Sequence, residues 1–70
     1  MLGEFIKKQR TMMGLTQTEC ANKLKITNVH LCSIERGKMK AGPKVIRAVS
    51  KFFKINIVEV VRMNEDNEQV

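Results

Sequence analysis

The chain has no tryptophan and no tyrosine, and its three aromatics are all phenylalanine. Phe5, Phe52 and Phe53 fall at core spacing, so no aromatic platform is offered on which unpaired bases could stack. Cysteine is sparse: Cys20 and Cys32 stand twelve positions apart, and the one histidine, His30, is two residues from Cys32. That is neither a CxxC pair nor a zinc-finger spacing, so both are read as reduced thiols of a cytoplasmic protein, with no metal and no cofactor expected. A Gly-rich phosphate loop, a nucleophile–His–acid set and a metal cluster are all missing, which argues against an enzyme. No apolar run approaches the roughly 18 residues that span a bilayer, and the start of the chain alternates charged and apolar side chains instead of forming the apolar core of a secretory signal. Strands have little support, because the one β-branched stretch, Ile55 to Val61, is short and carries a helix cap.

Acids are scarce as well. Seven Asp and Glu face thirteen Lys and Arg for a net charge of +6. Three of the seven, Glu65, Asp66 and Glu68, crowd the last six positions, so the body of the chain is more basic than the total suggests. Such a balance favours a polyanionic partner through counterion release, without separating DNA from RNA or anionic lipid. Seventy residues allow one domain with a small core and no large active-site cleft.

What is present is helical. Leu2, Phe5, Ile6, Gln9, Met12 and Met13 recur at three- and four-residue steps and predict an amphipathic first helix to about Met13, ended by Gly14. Thr16 followed by Glu19 is a capping box that starts a second helix at Gln17, with Cys20, Ala21 and Leu24 as its inner stripe. After the turn Lys25-Ile26-Thr27, Thr27 caps a third helix from Asn28 to about Glu35, with Leu31 and Ile34 inward and Gly37 as its stop. Pro43 suits the first turn of a fourth helix carrying Val45, Ile46, Val49, Phe52 and Phe53. Asn56 and Glu59 make a second capping box for a short fifth helix with Ile57, Val60 and Val61. The expected organisation is all-α, a five-helix bundle over residues 1–63, followed by a fraying acidic tail over 64–70.

The string Leu15-Thr16-Gln17, Glu19, Ala21, Leu24, Leu31, Ile34-Glu35-Arg36-Gly37 closely resembles the Cro/repressor-type (Xre-like) helix-turn-helix family of phage and bacterial regulators. The resemblance covers residues 2 to about 63. It implies a lambda-repressor-like fold in which helices 2 and 3 bind double-stranded DNA, and it places a structural pair on Arg10 and Glu35. Both of these charged residues lie in line with apolar stripes, which makes sense if they meet beneath the motif. The chain departs from the family pattern where Lys25 and Lys54 replace turn glycines, and where one extra residue lies between Lys38 and Pro43.

In such a fold the first turn of helix 2, with Thr16 and Gln17, meets a phosphate, aided by the helix dipole. The resemblance gives similar backbone duties to Arg36, Lys38 and Lys40, with His30 at the side. Base reading is expected from Thr27, Asn28, Val29, Cys32 and Ser33. Asn28 can pair with adenine, Val29 can touch a thymine methyl and Ser33 can bond a donor or an acceptor, and with no arginine on this face the half-site should lean to A·T. One module reads only a few base pairs, so a homodimer on a palindromic operator is expected, with Ile57, Val58, Val61 and Met63 at the two-fold contact. The chain runs from Met1 to soon after the fold, so no ligand-sensing domain is expected. A Cro-like repressor is the reading. An antitoxin-type regulator that also holds a toxin is the alternative, and contact with RNA polymerase is left open.

Overall fold

Two side-chain caps set where the central helices begin. In the computed structural model, which describes residues 2–65, the Thr16 hydroxyl accepts from the Glu19 N–H at 3.1 Å and the Glu19 carboxylate accepts from the Thr16 N–H at 2.8 Å. The box therefore closes in both directions, and α2 runs Gln17–Leu24. Thr27 accepts from the His30 N–H at 3.0 Å and starts α3, Asn28–Glu35. These bonds satisfy amides that a first helical turn cannot bond internally. Pro43 opens α4, Pro43–Phe53, while α1 spans Leu2–Met12 and α5 spans Ile57–Glu65. Among the described residues there is no strand.

Gly14 and Gly37 follow α1 and α3 at φ 73° and 77°, and Lys25 and Lys54 take the same left-handed conformation at φ 60° and 57°. Each lysine puts a Cβ where glycine is favoured, at a cost of about 1 kcal/mol. Bonding offsets this at both turns. The Lys25 and Ile26 N–H groups close on the Asn22 and Ala21 carbonyls at 3.2 and 3.0 Å, and after α4 the Ile55 N–H reaches Ser50 O at 3.1 Å while Ser50 Oγ donates to Ile55 O at 2.6 Å.

The core gathers one stripe from every helix: Leu2 and Ile6, Cys20, Ala21 and Leu24, Leu31 and Ile34, Val45 and Val49, and Val60. α3 packs on both α1 and α2, α4 bridges α2 and α5, and α5 returns to α1. Phe53 meets Phe5 and Phe52 edge-on, with ring centroids 6.1 and 4.9 Å apart, joining α4 to α1 at the rim of the core.

Three expectations are corrected. Met12 and Met13 do not extend the buried stripe of α1, being 71% and 51% exposed; Arg10 closes that face instead, and the helix ends before Met13 can turn inward. Asn56 does cap α5, but its Oδ1 accepts from the Val58 N–H at 2.8 Å, without the reciprocal arrangement that Thr16 and Glu19 share. The boundary expected after Met63 also moves: α5 continues to Glu65, and Asn64 is buried because its amide finds backbone partners at Ala41. The rest of the expected tail, 66–70, lies outside the described residues.

Glu35 receives Arg10 Nε at 2.8 Å and Arg10 Nη2 at 3.2 Å, with the two side chains 3% and 14% exposed, respectively. Removing either partner leaves an uncompensated charge, at a cost of roughly 3–5 kcal/mol for a buried pair. The losses should be unequal. A carboxylate left by Arg10→Met can take up a proton and retains Gln17 as a donor, whereas the guanidinium left by Glu35→Ala cannot be neutralised. Thermal melts should therefore rank Arg10→Met above Glu35→Ala, and the opposite ranking would contradict this account of the pair.

Candidate nucleic-acid interface

The face of α3 opposite its core stripe follows from helical spacing. With Leu31 and Ile34 fully buried, Val29, Cys32 and Ser33 turn away from the core, and Asn28 flanks the buried stripe at the first turn. Thr27, Asn28 and Val29 are exposed, Val29 at 75%, while Cys32 and Ser33 are half-buried. The exposed part is thus the N-terminal turn. Thr27 spends a lone pair on the His30 amide and keeps its hydroxyl hydrogen to donate. His30 is half-buried and leans towards the start of α4, lining a groove with Pro43 and Lys44.

Basic residues flank this turn on the chain that leaves α3. Arg36, Lys38 and Lys40 are exposed, and the Gly37 and Lys38 N–H groups fold back on Ile34 O and Ser33 O at 3.0 Å each. The nearby acids are already engaged, Glu19 in its cap and Glu35 in its pair with Arg10. The potential over the face is therefore set by the cations.

Gln17 occupies an unforeseen position. Its Nε2 donates to Glu35 Oε1 at 3.1 Å and the residue is half-buried, so one hydrogen of the amide expected to meet a phosphate is used inside the protein. Thr16 is exposed and bonded within its cap. What α2 presents at this end are the backbone N–H groups of Gln17 and Thr18, which by helix geometry have no intrahelical partners.

The support beneath the face is a charged network. Arg10 Nη1 also donates to Leu15 O at 3.0 Å, so one guanidinium holds the entry to α2 and the end of α3 together. Its hydrogen bonds to Glu35 hold the Arg10 guanidinium above its ordinary pKa. Burial, with the Glu35 charge adding to it, pushes the Cys20 thiol up, which keeps it a protonated core residue and a poor nucleophile. Both cysteines are free thiols.

Sequence reasoning passed over Gly3 and placed Asn64 in the tail. Gly3 lies where α1 crosses the end of α3, and a Cβ there would run into Ile34 O and come within 2.9 Å of Glu35 O. A glycine inside a helix is costly enough to signal such a close approach. Asn64 follows Val60 by four positions, the inward spacing of α5. Its polarity hid it.

Fold and face together define a lambda-repressor-like DNA-binding domain, in which α2 and α3 form the motif. The family model described as "Helix-turn-helix" matches residues 6–60, and the chain belongs to that family, in its Xre/Cro-like form. The family is one of DNA-binding regulators rather than of enzymes. A relative from Methanocaldococcus jannaschii, described as an uncharacterized HTH-type transcriptional regulator, is 30% identical over 61 residues, which cover 87% of this chain and 92% of the relative. No solved structure matches the chain. Among the described residues, no helix is long and apolar enough to cross a membrane.

Proposed function

We propose that this chain is a Cro-like repressor that binds a palindromic operator as a homodimer. The observation that carries the reading is the exposed first turn of α3, with Asn28 and Val29 projecting from a helix whose far end is locked to α1 and α2 through Glu35. A helix that enters the major groove must project its reading side chains while its own orientation stays fixed. Asn28 takes the role of adenine reader and Val29 that of thymine-methyl contact, with Thr27, Cys32 and Ser33 beside them. Arg36, Lys38 and the N-terminus of α2 hold phosphates and set register, and Lys40 and His30 complete that rim.

Two variants sort readers from anchors. On a duplex selected from a random library at stated salt, Asn28→Ala should lose discrimination at one base pair by about 1–3 kcal/mol, whereas Lys38→Ala should weaken all duplexes alike and lower the salt slope by about 1. Identical behaviour of the two variants would refute the assignment.

α5 supplies the surface for a two-fold contact. Ile57, Val58 and Val61 are 43%, 56% and 39% exposed, an apolar face wider than the inward stripe of this helix needs. Met63 is half-buried at its edge. Two copies joined there would present two α3 helices to half-sites about 34 Å apart. Sedimentation should show a dimer, at least on operator DNA, that Val58→Asp converts to a monomer with much weaker operator binding. A wild-type monomer both free and on DNA would remove the dimer, and a co-purifying small protein on this surface would favour the antitoxin reading in its place.

A further inference from the structure

The segment between α3 and α4 is fastened at both ends by different means. At its start, the Gly37 and Lys38 N–H groups close on the last turn of α3. At its end, the Ala41 N–H donates to Asn64 Oδ1 at 2.9 Å and Asn64 Nδ2 donates to Ala41 O at 3.0 Å, across 23 positions of sequence. Lys38 belongs to the first fixing, and Met39 and Lys40 stand between the two; all three are exposed. Ala41 is 6% exposed and Asn64 is 7% exposed, and apart from the Glu35 carboxylate the Asn64 amide is the polar side chain most withdrawn from solvent among the described residues.

A primary amide that bonds both the N–H and the C=O of one residue fixes that residue's backbone in direction as well as in place. An apolar side chain at position 64 could bury as much surface, and Val60 already docks α5 into the core. What the amide adds is orientation, with both buried backbone groups of Ala41 satisfied. Without it those groups must find water, and the short run from Lys38 to Ala41 regains conformations that binding would have to remove again.

We propose that Asn64 is a positioning residue for nucleic-acid binding: through its two bonds to Ala41 it makes α5 the anchor of the basic α3–α4 segment and holds Lys38 in phosphate-binding geometry. The proposal rests on the DNA reading given above. Asn64 touches no nucleic acid itself and carries no sequence preference.

The test is a salt series of duplex binding, on the duplex selected with the wild-type chain, for wild type, Asn64→Ala, Lys38→Ala and the double variant, at a temperature where circular dichroism shows all four helical. Asn64→Ala should weaken binding about tenfold and flatten the salt slope, while leaving the base preference at the Asn28 position unchanged. Lys38→Ala should cost less in the Asn64→Ala background than in wild type. Wild-type affinity and slope in Asn64→Ala, or an equal cost of Lys38→Ala in both backgrounds, would overturn the proposal. Should Asn64→Ala fail to fold, Asn64→Leu carries the series, since it keeps the volume and the charge and loses both bonds to Ala41. Amide hydrogen exchange on the wild-type chain gives an independent reading: the Ala41 N–H should be protected to the level of the α5 amides, and exchange at the rate of an open loop would overturn the clamp. A wild-type chain that binds no duplex while Ala41 stays protected would take down the DNA reading and leave the clamp itself standing.

Discussion

Everything that positions the proposed reading face passes through one carboxylate. Glu35, at the last position of α3, receives two donors from Arg10 on α1 and one from Gln17 at the start of α2. Three helices thus meet at a single buried group, and the angle between α2 and α3 is set there. Ala21, 1% exposed, lets the two helices approach, and Gly3 does the same for α1 against the end of α3. A buried ion pair is weak evidence for stability, yet it has direction, which an apolar patch lacks. In a domain this small, a tilt of α3 would carry Asn28 and Val29 away from any fixed register on DNA.

Much of this was legible in the sequence because local chemistry and global fold agree. The Thr16–Glu19 box, the Thr27 cap and Pro43 each mark a helix start that the structure reproduces. The family string from Leu15 to Gly37 then specified how two of those helices cross. Reading failed where a residue's role depends on a distant partner. Met12 and Met13 continue a helical period, but period alone cannot say that Arg10 ends the buried face by reaching Glu35. Asn64 reads as a polar tail residue until Ala41, far away in sequence, presents two backbone groups for it to satisfy. Gln17 shows the same limit, since its partner Glu35 lies on the next helix.

The charge distribution follows a related logic. Glu19 and Glu35 are the acids nearest the motif, and both are bonded within the protein. The cations beside them, Arg36 and Lys38, are exposed, so the field outside α3 is positive although the network beneath it contains a carboxylate. Pairing Glu35 with Arg10 inside the protein and leaving cations at the rim gives a polyanion a defined place to approach. Lysines elsewhere on the surface add general attraction without register.

The most direct test of the account is amide chemical-shift mapping of the isotopically labelled chain against its selected duplex. The largest changes should fall on Thr16–Thr18, on Thr27–Ser33 and on the segment after Gly37, with α1 little altered. Changes concentrated on the groove between α2 and α4, or on α5, with the first turn of α3 unmoved, would contradict it.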